Sequence, residues 1–231
     1  MSKIIKFGSK DDTLNYPKPA SRFIPEWYKK SEKFIGGKPS LDPNDSPNGL
    51  ATIKACSPFL DSLTSGYMIE LWQDIQVKVV DGKPSIFWGS SPAVASERNM
   101  NTLQNMPVGP EYHEVHYAWK EPFNVKLPIG YSFLITHPLN HFDLPFTTFS
   151  GIVDADVVLV DGQIPFLLKK GFEGTIPQGT PIAQIIPFKR DDWKSEVDNS
   201  IAQEADKLMI KLRRVTTGYY KNNIWKNKKY R

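Results

Sequence analysis

The chain of 231 residues has a single cysteine, Cys56, which leaves it neither a disulfide framework nor a cysteine-built zinc site. Long apolar runs are also missing. The longest, residues 182–188, contains a Gln and a Pro and falls well short of the roughly 20 residues needed to span a bilayer. Residues 1–6, Met-Ser-Lys-Ile-Ile-Lys, lack the apolar stretch of a signal peptide. These absences predict a soluble cytoplasmic protein with no membrane partner. Acid is absent from the C-terminal end: residues 207–231 hold nine Lys or Arg and neither Asp nor Glu. That leaves 20 of the 29 bases against all 25 acids in the remainder, although the formal net charge is +4. A mildly acidic body therefore carries a basic tail. Such a tail seeks phosphate on nucleic acid, through counterion release, or an acidic protein surface.

What the chain does have is 40% hydrophobic residues and 12% aromatics, with 19 Pro and 15 Gly. This is enough to build a core, and the Pro and Gly suit short strands joined by stiff turns. The spacing predicts three regions. Residues 1–49, broken by Pro17, Pro19, Pro25, Pro39, Pro43 and Pro47, read as an arm, with one short helix after Pro25. Residues 50–190 read as a β-rich core domain. Alternating segments at 67–72, 75–80 and 84–88 surround an Asp81-Gly82 turn, a strong hairpin signal. Further strands are expected at 115–119, 123–127, 131–136, 157–160, 164–168 and 175–188, the fourth and fifth joined by Asp161-Gly162, with a long loop at 89–110. Beyond Arg190 the period changes. Trp193, Val197, Ile201, Ala205, Leu208 and Leu212 recur at three and four residues and predict an amphipathic helix capped by Asp191 or Asp192. The tail after it interleaves Tyr219, Tyr220, Trp225 and Tyr230 with Lys and Arg. Exposed rings invite aggregation, so the tail is expected to dock, either on nucleic acid or on protein. The preferred site is a neighbouring subunit of a homo-oligomer or larger assembly.

Gly151-Ile152-Val153-Asp154-Ala155-Asp156 is followed 28 residues after its glycine by Gly179-Thr180-Pro181-Ile182-Ala183-Gln184-Ile185-Ile186. The pair resembles the trimeric dUTPase and dCTP deaminase family, whose β-clip domain carries a Gly-x-Ile-Asp-x-Asp motif and a later Gly-x-x-Ile-Ala-Gln-Leu-Ile strand. The resemblance implies a mainly β, dUTPase-like fold with a nucleotide ligand, and magnesium if the chain processes one. It also implies that Asp154 orients the attacking water. Three features depart from the family pattern. Val157 stands where a Tyr should stack on the sugar, and Thr136-His137-Pro138-Leu139-Asn140 replaces the phosphate-holding Arg-Ser-Gly. The Gly-rich closing motif is missing, apart from a faint Thr217-Gly218-Tyr219. Over its full length the chain resembles a family of phage and bacterial proteins without an agreed function. That resemblance rests on Ile24-Pro25-Glu26-Trp27, on residues 53–61 and 131–156, and on the 171–187 stretch. A phage source would place the protein in host cytoplasm or virion.

The candidate site residues follow. Asp154 and Asp156 share a face if extended, and paired carboxylates can activate water, one raising the other's pKa. The alternative is a structural pair accepting backbone N–H groups. Thr136, His137, Asn140 and Gln184 are the candidate ligand-binding residues. His137, His141 and Asp143 offer two imidazoles and a carboxylate, the ligand types of non-haem iron sites, but their spacing does not match the usual motif, and Pro138 and Pro145 favour a loop whose side chains cap turns. His113 and His116, three apart, cannot share a strand face and read as surface or loop residues. Cys56, with no helix N-terminus beside it, reads as a buried small residue. Without an Arg fork to neutralise a triphosphate, the preferred function is a non-catalytic ligand-binding or assembly protein. A dUTPase- or deaminase-like enzyme and a metal-dependent oxygenase are the alternatives.

Overall fold

The structure, a computed structural model, describes residues 3–9, 15–37, 49–120, 123–157, 162–214 and 219–231, with the side chains of 211–214 excepted. Its strands in chain order are β1 (Lys6–Gly8), β2 (Lys18–Pro19), β3 (Phe34–Ile35), β4 (Leu50–Ala51), β5 (Tyr67–Glu70), β6 (Ile75–Val80), β7 (Lys83–Trp88) and β8 (Ala95–Arg98). They continue as β9 (Tyr112–Lys120), β10 (Asn124–Lys126), β11 (Tyr131–Thr136), β12 (Phe146–Thr148), β13 (Gly151–Val153), β14 (Gln163–Lys169), β15 (Gly174–Ile176) and β16 (Pro181–Lys189). Three α-helices accompany them: α1 (Glu26–Lys30), α2 (Ser57–Thr64) and α3 (Ser200–Arg214). The chain is mainly β, and all its described strand pairs are antiparallel. No described helix is long and apolar enough to cross a membrane.

The chain divides into two units. The first comprises Met1–Phe23, Gly66–Arg190 and Tyr230–Arg231, and the second Ile24–Ser65 and Asp191–Lys229. The stretch read as an arm is thus shared, with β1 and β2 in the first unit and α1 in the second.

The first unit contains a five-stranded sheet β13-β11-β16-β5-β2, a four-stranded sheet β12-β14-β9-β8, a three-stranded sheet β15-β6-β7 and the pair β1-β10. The Asp81-Gly82 turn forms as its residue types require. Both residues have positive φ (51° and 78°), and Val80 pairs with Lys83 across it. Gly66 is fixed by packing as well as by its φ of +73°, since a Cβ there would lie 1.9 Å from the Ile185 carbonyl oxygen. In the core Trp119 of β9 stacks on Phe166 of β14, with centroids 3.6 Å apart and planes within 4°. Phe146 of β12 meets the indole edge-on at 5.1 Å. The edge-on contact adds about 1 kcal/mol beyond the area it buries. The polar atoms are paired too: Trp119 Nε1 donates to Thr148 Oγ1 (3.2 Å), which donates to the Ile182 carbonyl (2.6 Å).

In the second unit Tyr28 of α1 stacks on Phe59 of α2 (5.8 Å, 17°), and Trp27 meets the same ring edge-on. Lys54 Nζ donates to the Lys29 and Ser31 carbonyls at the end of α1 (2.7 and 2.8 Å), where a cation also suits the helix dipole. The tail as far as Lys229 belongs to the same unit, and Tyr230–Arg231 to the first. Trp225 Nε1 donates to both carboxylate oxygens of Asp61 on α2 (3.0 Å each), and Lys228 pairs with Asp61 as well.

Several sequence expectations are corrected. The helix expected from Trp193 begins at Ser200, where Asp198 Oδ1 accepts the Ser200 N–H at 2.8 Å in place of an Asp191 or Asp192 cap. Upstream, Trp193 and Val197 are 89% and 91% exposed, so their spacing has nothing to pack on. The 89–110 stretch is not all loop, since β8 pairs with β9. Helix α2 went unread, and Cys56 is its exposed N-cap residue, not a buried one. His113 and His116 both lie on β9 and are buried. The expected 157–160 strand after Val157, Asp161 of the Asp161-Gly162 turn and most of the 36–49 linker fall outside the described residues.

Candidate functional site

The sequence-derived candidates gather at the two ends of β11. Register places Tyr131 opposite Lys189 of β16 at one end and Thr136 opposite Gln184 at the other. On the opposite edge of β11, Phe133 pairs with Val153 and Ile135 with Gly151 of β13. The two motif segments therefore flank a single strand. Four residues of extended backbone, about 13 Å, separate the polar groups at the two ends, so the candidate carboxylates and the candidate ligand-binding residues do not form one site.

At the Tyr131 end the sequence reasoning missed a residue, Arg190. Its Nη1 donates to Asp154 Oδ1 (3.1 Å), Asp156 Oδ1 (3.0 Å), Ser132 Oγ (2.9 Å) and the Tyr131 carbonyl (3.1 Å), while Nη2 pairs with Asp156 Oδ2. Asp156 Oδ2 also accepts the Gly130 N–H at 2.8 Å, and Ser132 Oγ donates to Asp154 Oδ1 at 2.5 Å. The Asp156 side chain is 2% exposed and that of Asp154 61%. Hydrogen bonds from Arg190, then from the Gly130 N–H, hold the Asp156 carboxyl down at about 2. Arg190 Nη1 contacts both carboxylates, so the two acids meet a shared cation and not only each other. The arrangement is a clamp joining the turn after β13 to the ends of β11 and β16. Nothing in local spacing reveals Arg190, which lies 34 and 36 residues from its partners.

At the other end, Thr136 Oγ1 and Ser150 Oγ are 2.7 Å apart, and the fully buried Gln184 accepts the Leu139 N–H through Oε1 at 2.9 Å. Asn140 takes a positive φ of 62° in the turn closed by the His141 N–H on the Pro138 carbonyl. The Thr148 N–H donates to His137 Nδ1 (3.3 Å), which leaves Nε2 as the protonated nitrogen facing the His141 carbonyl (3.3 Å). His141 is 5% exposed, and burial pushes its imidazole down to about 4, while Asp143 pulls it upward. Burial lowers His137 as well. With both His137 nitrogens engaged and Asp143 exposed, the expected set of two imidazoles and a carboxylate is not assembled. Among the described residues no group of three or more His, Cys, Asp or Glu is placed to hold a metal ion. His137, Asn140, Thr136 and Gln184 brace the turn that follows β11.

Between these ends, on the face of β11 that carries Phe133 and Ile135, lies a pocket of about 410 Å³. Phe123, Val125, Phe149, Val153, Ala155 and Ile164 complete its apolar wall, and Ser150 and Gln163 supply polar atoms at its margin. Gln163 Oε1 already accepts from Arg98 Nη1 (2.7 Å), leaving the amide nitrogen as its outward donor. Gly151 keeps the wall thin, since a Cβ there would meet nothing nearer than Ile135 Cγ2, at 3.8 Å. The alternation of 131–136 puts Phe133 and Ile135 on one face, but no sequence pattern reports the space in front of them. No family model matches the chain, and no curated protein matches it.

Proposed function

We propose that the chain is a non-catalytic ligand-binding protein on a β-clip-like scaffold, and that its ligand is a small apolar or aromatic molecule seated against Phe133 and Ile135. The observation that carries this reading is the pocket. Its volume of about 410 Å³ falls within the range of about 300–1,000 Å³ usual for small-molecule sites. Ligand sites are typically concave and mostly apolar with a few polar groups at fixed points, as this wall is with Ser150 and Gln163 at its margin. The β-clip kinship is supported by the two motif segments lying on either side of β11. Catalysis at Asp156 is disfavoured by chemistry: a carboxylate held near 2 and neutralised by Arg190 is a poor base near neutral pH, and Asp154 is tied to the same Arg190 and to Ser132. The apolar wall likewise suits a ring or acyl chain better than a triphosphate with magnesium.

Thermal-shift titration with indole, decanoate and anilinonaphthalene sulfonate, alongside dUTP and dCTP with and without magnesium, tests the proposal. Stabilisation is expected from at least one apolar probe and is lost in Gly151→Leu, whose side chain enters the pocket. Stabilisation by a nucleotide with magnesium, with hydrolysis or deamination of it, would overturn the reading.

A further inference from the structure

Helix α3 is amphipathic yet uncovered. Every described side chain from Ser200 to Ile210 is exposed, with Ile201 at 60%, Leu208 at 39% and Met209 at 45%. A helix of 15 residues is marginal in water without tertiary packing, so burial of its apolar face is what stabilises it. The arrangement of that face says what can cover it. Ile201, Ala205, Leu208 and the Leu212 position follow one another at four, three and four residues. This is the a/d seam of a coiled coil, with Ala205 and Leu212 at a and Ile201 and Leu208 at d. Glu204 and Lys211, each one residue before an a position, both fall at g.

Charge then selects partner and direction. In an antiparallel pair a faces d and g faces g. Ile201 of one helix then meets the Leu212 position of the other, Ala205 meets Leu208, and Glu204 falls opposite Lys211. Two-fold symmetry repeats every one of these contacts. A parallel pair would set g against e, and Glu204 against Met209, with no charge satisfied. The small Ala205 opposite Leu208 lets the two backbones approach.

We infer that α3 is a self-pairing seam, through which two copies of the chain associate by antiparallel contact of their α3 helices. The inference is independent of the β11 pocket. Sedimentation of the full-length protein over a concentration series tests it. The mass is expected to rise from one chain, 26.2 kDa, towards two. Leu208→Glu, on an exposed face, should hold it at one chain while leaving the melting temperature of dilute protein unchanged. Glu204→Lys should weaken the pair by on the order of tenfold, since the seam charges set partner choice and orientation. Adding Lys211→Glu to it should restore wild-type association. One-chain mass at every concentration would overturn the inference, including the case in which the protein instead binds anionic vesicles or DNA. Association that survives Leu208→Glu, or a double charge reversal that fails to restore pairing, would overturn it too.

Discussion

Asp154 and Asp156 are two residues apart, carry the same functional group and contact the same arginine, yet their environments separate them. Asp156 is 2% exposed and holds Arg190 with both oxygens, one of which also takes the Gly130 N–H; Asp154 is 61% exposed and shares Arg190 with Ser132. The Asp156 carboxylate is enclosed while Arg190 keeps 38% exposure, so breaking their pair strips a hydrogen-bonded carboxylate of its donors, whereas at Asp154 water takes the partner's place. Asp156→Asn is therefore expected to lower the melting temperature clearly, and Asp154→Asn much less. Arg190→Gln should resemble Asp156→Asn, and the Arg190→Gln/Asp156→Asn double variant should cost less than the sum of the two. Thermal melts of the four proteins decide the matter. Equal losses at Asp154 and Asp156 would show that exposure does not separate the two carboxylates and that both carry the clamp.

At the scale of the element, the tail shows how far a sequence pattern reaches. Aromatics interleaved with Lys predict docking, and Trp225 and Tyr230 do dock, but on their own chain. Trp225 Nε1 meets Asp61, while Tyr230 lies edge-on to Tyr67 at 5.9 Å, with the Tyr67 hydroxyl donating to the Arg231 carbonyl at 3.2 Å. Trp225→Phe keeps the ring and removes the donor, so about 1–2 kcal/mol of local stability should be lost. The readout is faster tryptic cleavage at Lys226, Lys228 and Lys229. Deleting residues 219–231 should leave the α3-mediated molar mass unchanged; a fall to one chain would place the tail's partner in a neighbouring subunit. Elements with strong local signals were legible in the sequence: the Asp81-Gly82 hairpin, the 131–136 strand and the short helix after Pro25 all form. The helix α2 was not, although Pro58 in its first turn and the Leu60–Leu63 spacing were available, because eight residues are too few for a helical period to show. The pocket and the Arg190 clamp depend on register between strands far apart in sequence, which no local spacing encodes.

The four histidines of the chain give the whole molecule a common acid limit. His113, His116, His137 and His141 are all shifted downward by burial first of all. His113 Nε2, His116 Nδ1 and His141 Nε2 have no hydrogen-bond partner among the described residues, so nothing at those atoms is placed to stabilise an imidazolium. The sign of the pH dependence follows. An unfolded chain protonates its histidines near 6.5, whereas folded His141 resists until about 4. Between those values the unfolded state binds more protons, so stability rises with pH and is lost as pH falls from about 6.5 to about 4. His141 alone accounts for about 3 kcal/mol of that loss at most, taken from its displaced pKa, with the other three acting in the same direction. The Asp156 carboxylate, held near 2, adds a separate loss only below about 4, as its unfolded counterpart protonates first. Urea melts from pH 7.5 to 4.5 should therefore show a steady fall in unfolding free energy. His141→Phe, which keeps a buried ring but cannot take a proton, should flatten that fall. A profile indifferent to pH across this window would mean that the buried imidazoles reach water when they charge, and that the turn after β11 opens without disturbing the sheets it joins.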